Sequence, residues 1–315
     1  MIIVYGEILI DMNCSSANNK IEYFVGGAPF NVAYAISKLD EEVLFVGNVG
    51  KDYFGKKIIE FAKNNGINPR FIYQTKENTT IAIVNNEANG ERNFSFLREN
   101  SADYQFNDRS LVLIEDSFMV HLGSLMLSKE RGFEFAKKVI MTAKRNNKKI
   151  SFDVNFRQDI FRNMKQCLSR YQYVISKADI VKLSIDELFI LTDKKDIDEG
   201  LKALANNNQY IFLTLGKDGS LMYHAGKKYY ANSIEVNCID TTGAGDAFYG
   251  TILALVSKRG FVDFFNDEEG IVNALRVANV QGALSTRKKG ALSALASKGT
   301  LTKYLFYHRF NNCSD

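Results

Sequence analysis

Hydrophobic and polar positions along this chain fall into two alternating rhythms. Short, nearly continuous apolar runs, the pattern of strands buried on both faces, occupy Met1 to Ile10, Val43 to Val49, Phe118 to Leu122, Lys149 to Val154, Ile180 to Leu183 and Tyr210 to Leu215. Between them, apolar residues recur three and four apart, the spacing of an amphipathic helix. The first such stretch carries Val32, Ala33, Ala35, Ile36 and Leu39; the second, Phe54 to Asn65, is closed by Gly66. Further helices are predicted near Glu130 to Asn146, Met164 to Ser176, Asp186 to Thr192 and Ile197 to Asn206. Gly243 to Lys258 and Glu268 to Thr286 close the chain, with a shorter helix after Gly290. Strands alternating with helices predict an α/β fold: a doubly wound, mostly parallel sheet with helices on both faces.

Two regions break the alternation. Ile21 to Val25, Phe71 to Gln74, Thr79 to Asn85 and Arg92 to Leu97 are short β runs, and Asn89-Gly90 is a strong hairpin signal between the last two. They predict a small β lid from residues near 12–25 and 71–99 on a single domain spanning 1–315. Exposed strand edges on such a lid would let two lids pair in a homodimer. A second hairpin is expected over Ser220 to His224 and Lys227 to Ala231, followed by a polar, β-compatible run from Ile234 to Ile239.

Composition narrows the class. Of 315 residues, 46% are hydrophobic and 24% charged, as in a soluble globular protein with a real core. Forty basic against 36 acidic residues give a net charge of +4 without a basic block, which does not favour a nucleic-acid partner. Four scattered cysteines without a CxxC pair, and three histidines, speak against a zinc site or a disulfide framework and for a reducing, cytoplasmic setting. No apolar run approaches a membrane span, and the start, Met1 to Glu7, reads as a first strand.

The chemistry concentrates in Asp240-Thr241-Thr242-Gly243-Ala244-Gly245-Asp246-Ala247-Phe248. Three small residues fall where a helix begins, with a carboxylate in its first turn. Backbone N–H groups there lack intrahelical partners and attract anions, and glycine lets an anion approach closely. A carboxylate beside them suits a base that takes a proton from a hydroxyl while the N–H groups hold the phosphoryl group under attack. Glycines with an early Asp also simply start a helix well.

Upstream, Gly26-Gly27-Ala28-Pro29-Phe30-Asn31-Val32-Ala33 and Val46-Gly47-Asn48-Val49-Gly50-Lys51-Asp52-Tyr53-Phe54-Gly55 resemble the amino-terminal signature of the PfkB (ribokinase-like) carbohydrate kinases. Asp240 to Phe248 resembles that family's second signature, in the expected order and separation. The resemblance extends over almost the whole chain and implies a ribokinase-like fold and an ATP-dependent sugar kinase. Gly90 to Arg98, with its F-x-F-x-R run, and Asp153-Val154-Asn155-Phe156-Arg157 are similar to the fructokinase branch. That branch implies fructose, phosphorylated on a primary hydroxyl. Sibling kinases acting on 2-keto-3-deoxygluconate, ribose, tagatose or a nucleoside, and a sugar-binding regulator without turnover, are the alternatives.

The resemblance also assigns roles. Asp246 is the implied base, and Gly243, Ala244 and Gly245 form the anion hole. Asp11, expected at the carboxyl end of the first strand, joins Gly26, Gly27, Asn31, Phe96, Arg98, Asn155 and Arg157 around the sugar, with Phe96 and Arg98 sharing a strand face. Lys182-Leu183-Ser184-Ile185-Asp186-Glu187 resembles the K-x-N-x-x-E element that organises magnesium and phosphates, Ser184 replacing the usual Asn. Glu187 would reach magnesium through water. Thr214, Gly216, Gly219 and Asn279 fall on the nucleotide side. Asp240 and Thr242 match part of a monovalent-cation site, for which potassium is the candidate. The implied ligands are therefore a small sugar, ATP, Mg2+ and K+.

Overall fold

The structure, a computed structural model, describes residues 1–15, 20–86, 92–157, 160, 163–206 and 208–311. The hairpin turn expected at Asn89-Gly90 lies outside the described residues. The apolar runs lie side by side. β1 (Ile2–Tyr5) pairs in parallel with β4 (Val43–Gly50) on one side and β8 (Met119–Leu122) on the other. The parallel ladder continues from β8 through β9 (Lys149–Asp153), β10 (Ile180–Ser184) and β11 (Tyr210–Thr214). On the opposite side β5 (Ile72–Thr75) follows β4. The hairpin of β12 (Ser220–His224) and β13 (Lys227–Ala231) extends the β11 edge in antiparallel pairing. From β1 the chain builds outward to β4 and β5, then starts again at β8 in the other direction. Such a reversal opens a crevice at the carboxyl ends of the strands.

Strand alternation fixes the two cores. Ile2 and Val4 face one side of the sheet and pack with Phe30 and Ile36 of α1 (Ala28–Ser37), Leu253 of α7 (Ala244–Arg259) and Leu275 of α9 (Glu268–Ser285). Ile3 and Tyr5 face the other, with Phe135 and Val139 of α3 (Glu130–Arg145), Val174 of α4 (Met164–Lys177), Leu188 of α5 (Ile185–Thr192) and Leu201 of α6 (Ile197–Leu204). Each such fully buried side chain contributes about 1.5–3 kcal/mol relative to exposure. α2 (Tyr53–Asn64), α8 (Phe261–Phe265) and α10 (Lys298–Asn311) complete the helical layers. Among the described residues no helix is long and apolar enough to cross a membrane.

A second sheet, ordered β3-β2-β6-β7, forms the lid from β2 (Leu9–Ser15), β3 (Lys20–Gly26), β6 (Ile81–Asn86) and β7 (Arg92–Leu97). Asp11, Phe24, Ala82 and Phe96 are register partners and so share its inner face.

Three expectations change here. Met1 to Ile10 is not one strand: the chain leaves the main sheet after Tyr5, where Gly6 lies so close to Pro29 that a Cβ would stand 2.2 Å from its ring. Asp11 consequently sits on a lid strand, not at the end of β1, and strand geometry persists to Ser15. The 71–75 stretch does not belong to the lid. Ile72, buried in the α1-side core, draws β5 onto β4. Finally, Ile234 to Ile239 joins no ladder. Its end is held instead by the N–H groups of Ile239 and Asp240, which both donate to Thr286 O at 2.8 and 3.0 Å.

Candidate active site

The start of α7 is built by Gly243, which adopts the left-handed conformation (φ 78°) and abuts Ala291 so closely that a Cβ would lie 2.5 Å from the alanine methyl. Only glycine satisfies both conditions without strain. The first helical hydrogen bond runs from Ala247 N to Gly243 O, 2.8 Å, so the N–H groups of Gly245 and Asp246 precede the ladder. Ala244 N is turned toward Thr241 O, 3.3 Å. Of the expected donors, Gly245 is thus the better placed, and the N–H of Asp246 itself joins it.

Asp246 is buried and accepts a hydrogen bond from Asn31 Nδ2 at 2.7 Å. Burial pushes its carboxyl above the ordinary carboxylate range, against the opposing pull of Lys182 and Asn31. One turn further along α7, Tyr249 anchors the helix to the sheet. Its hydroxyl pairs with Ser151 Oγ at 2.7 Å, and Ser151 pairs in turn with His121 Nδ1 at 3.0 Å. His121 is held neutral, its pKa pushed down to about 3 by burial and then by Lys182. This apolar-walled polar stack fixes the height of α7, and with it Asp246, above β9.

Asp246 lines the first of two clefts that meet beside it. The first, about 400 Å³, runs beneath the lid and is lined by Asp11, Gly27, Asn31, Phe96, Asn155 and Arg157. The second, about 710 Å³, is lined by Thr214, Gly216, Gly219 and Asn279. Thr214, Thr241 and Gly245 border both, so the clefts meet at the helix start. Gly26 is not on the cavity wall but makes it: a Cβ there would stand 2.1 Å from Asp11 Oδ2. Burial pushes the Asp11 carboxyl up to about 7, and Asp246 pushes the same way while Arg157 opposes.

Asn155 and Arg157 reach the cavity from the loop after β9. Asn155 holds a positive φ of 32°, uncommon for a non-glycine residue, with its carbonyl accepting from Ser124 Oγ at 3.1 Å. Asp153, from the same run, does not line the cavity with these two. It is buried under the cavity as the partner of Lys182, whose Nζ lies 3.0 Å from Oδ1. Burial works against the Lys182 ammonium, but Asp153, Glu187 and Asp246 hold its pKa above the usual value.

Ser184 and Glu187 line the sugar-side cleft, not the nucleotide cleft. They form a capping box at the start of α5: Glu187 N donates to Ser184 Oγ (3.3 Å) and Ser184 N to Glu187 Oε2 (2.7 Å). Glu187 Oε1 also accepts from Phe156 N at 2.7 Å, which hooks the Asn155–Arg157 loop to α5. Ser184 is therefore a good N-cap residue. On the nucleotide side, Asn279 Nδ2 donates to Ala231 O at 2.8 Å and Asn232 O at 3.2 Å. Asp240 accepts from Thr242 N, Thr242 Oγ1 and Gly290 N at 2.9, 2.6 and 2.8 Å, locking the turn before α7.

Arg98 is the exception among the expected sugar contacts. It lies just past β7, where alternation no longer aims it inward, and it is absent from the cavity wall. Its guanidinium is buried against Asp103, with Nε donating to Oδ2 at 2.7 Å and Nη1 to Leu125 O and Ser128 Oγ at 3.1 Å each. A buried acid five residues downstream captures it, at the root of the lid. The side chain of Phe94, the first aromatic of the F-x-F-x-R run, lies outside the described residues. Sequence reasoning overlooked Glu7, Lys182 and Thr241 as cavity residues. Lys182 had a signal, a lysine inside an apolar strand, while Glu7 closes an apolar run and draws no notice.

A buried carboxylate at a helix start, where two clefts meet under a lid, is an arrangement suited to phosphoryl transfer. The comparisons agree. The profile described as pfkB family carbohydrate kinase matches residues 1–298. "Probable fructokinase-4" of Arabidopsis thaliana is 33% identical over 318 residues, covering 97% of this chain and 96% of that protein. A fructokinase with bound ATP from Xylella fastidiosa superposes with a TM-score of 0.89 at 29% identity, covering 98% of both chains. A double mutant of the Vibrio cholerae O395 fructokinase, solved with fructose, ADP and potassium, superposes at 0.88 and 30% identity, covering 96% of this chain and 97% of that one. The chain belongs to the pfkB family of carbohydrate kinases.

Proposed function

We propose that this protein is an ATP-dependent fructose kinase that transfers the γ-phosphoryl group to a primary hydroxyl, giving fructose 6-phosphate. The observation that carries this reading is the meeting of the two clefts beside Asp246, at the α7 start. The fructokinase relatives, one solved with ATP and another with fructose and ADP, support the substrate pair.

In this reading the sugar lies between Asp11, Gly27, Asn31, Asn155 and Arg157, with Phe96 closing over its CH face. Asp246 takes the proton of the attacking hydroxyl, and its raised carboxyl pKa makes it a better base than an exposed aspartate. Gly243 sets the helix start whose N–H groups, those of Gly245 and Asp246 foremost, receive the phosphoryl oxygens. ATP occupies the cleft of Thr214, Gly216, Gly219 and Asn279. The lid keeps out water that would compete for the phosphoryl group.

Among the described residues no three His, Cys, Asp or Glu side chains are grouped to hold a metal. That fits magnesium, which keeps most of its waters and is bound largely by substrate phosphates. Glu187, its oxygens already accepting backbone N–H groups, would contact the ion through water. Bound magnesium supplies charge neutralisation between the phosphates. Potassium, if used, belongs near Asp240 and Thr242 and would rely on backbone carbonyls, since the Asp240 carboxylate is engaged. The free thiols Cys167 and Cys238 accord with a cytoplasmic enzyme. Incubation with ATP, Mg2+ and fructose is expected to yield a phosphate on carbon 6, read by NMR, and to stop with EDTA. A product phosphorylated elsewhere, or none, would overturn the assignment.

The lid also supports a homodimer. Its outer face exposes Ile21 (63%), Tyr23 (42%) and Leu97 (59%), more apolar surface than a solvated sheet face normally carries. Light scattering is expected to give twice the chain mass, reverting to monomer on Leu97→Glu with Tyr23→Glu. A monomeric wild type would refute it.

A further inference from the structure

Glu7 occupies the turn between β1 and β2, where the chain passes from the main sheet into the lid, and it borders the sugar cavity. Its side chain is 2% exposed, and neither carboxylate oxygen has a hydrogen-bond partner among the described residues. Space is kept for it: a Cβ on Gly123 would stand 3.2 Å from Oε2. Arg98, the cation that draws on it, does not hydrogen-bond it: its Nε and Nη1 are directed to Asp103, Leu125 O and Ser128. Burial accordingly pushes the Glu7 carboxyl up to about 7, against the pull of Arg98. A buried acceptor without a donor costs on the order of 1–3 kcal/mol and calls for an explanation.

A second acceptor in the same cavity is in the same condition. Asn31 spends its amide N–H on Asp246 and leaves Oδ1 buried and unpartnered. Asp11 and Asp246 add two more carboxylates to the same cavity wall, against the two cations Arg157 and Lys182, of which Lys182 is already paired with Asp153. A polyol brings one donor per hydroxyl and suits such a wall. A sugar acid or sugar phosphate brings acceptors and negative charge, and meets unpaired lone pairs and repulsion instead.

We propose that Glu7 is a specificity-determining residue of the sugar site, accepting a hydroxyl hydrogen bond from a neutral sugar and excluding anionic ones. The inference rests on the sugar-kinase reading above. Glu7→Gln keeps the shape and removes the charge. The expected result is a rise of at least about tenfold in KM for fructose, with the KM for ATP and the melting temperature held. The kcat/KM preference for fructose over 2-keto-3-deoxygluconate is expected to fall by a similar factor. Should that variant not fold, Glu7→Asp, which withdraws the carboxylate by one methylene, carries the same comparison. A fructose KM within twofold of wild type overturns the role of Glu7 while leaving the kinase reading intact. So does a parallel change in both KM values and in melting temperature, which marks a purely structural residue. A wild-type enzyme that prefers the acidic sugar overturns both.

Discussion

Replacing Asp246 with Asn is expected to lower kcat by roughly 100- to 10,000-fold, the usual weight of a general base. That corresponds to about 2.7–5.4 kcal/mol of barrier. The amide matches the carboxylate in shape and can still accept from Asn31, so nucleotide binding and the cleft geometry should persist. It cannot accept the proton of the attacking hydroxyl. Stability should not suffer. Because burial raises the Asp246 pKa, its ionised form opposes folding at neutral pH, and that cost grows as pH rises through the raised pKa. A neutral amide removes it, so the melting temperature of Asp246→Asn should equal or exceed wild type. Stopped-time ADP release with calorimetric ATP titration and a melting curve checks all three points. Turnover close to wild type would remove Asp246 from the base role.

Gly243→Ala is expected to damage the same step by a different route. A methyl at this position collides with Ala291 and must adopt a left-handed backbone. The N-terminus of α7 has to shift, and the donors aimed at the phosphoryl group move with it. Losing one such donor elsewhere costs about 2.7–4 kcal/mol, or roughly 100- to 1,000-fold in kcat. The strained backbone adds about 1–2 kcal/mol of destabilisation. Gly245→Ala is the comparison: its backbone needs no left-handed conformation, and its methyl would meet no backbone, only the Lys182 Nζ that pairs with Asp153, at 2.9 Å. Comparing kcat and melting temperature of the two variants separates helix placement from simple crowding. Equal, mild effects at both positions would argue against a strict geometric role for Gly243.

What could be read from the chain, and what could not, follows from the range of the interactions. The β12–β13 hairpin was legible to the residue, because its alternation and the turn at Gly226 are local. The helix start at Gly243 was legible for the same reason. The exit of the chain after Tyr5 was marked only by Gly6-Glu7 within a stretch otherwise apolar from Met1 to Ile10, since β1 and the start of β2 are both apolar yet serve different sheets. β5 has the composition of a lid strand, and only its pairing with β4, some 25 residues upstream in register, puts it in the main sheet. Arg98 illustrates the limit for sites. Its spacing from Phe96 matched a sugar-binding face, but the deciding partner is Asp103, which a face argument does not weigh. Glu7 is legible only once the strands stand around the cavity, because its significance comes from burial and from what fails to pair with it.

The measurement bearing most directly on the kinase reading is ADP release with ATP and Mg2+ across fructose, ribose, 2-keto-3-deoxygluconate, tagatose, adenosine and no sugar. A clear preference for fructose, with little release in its absence, is the expected result. No sugar-dependent release from a protein that still binds ATP would contradict it.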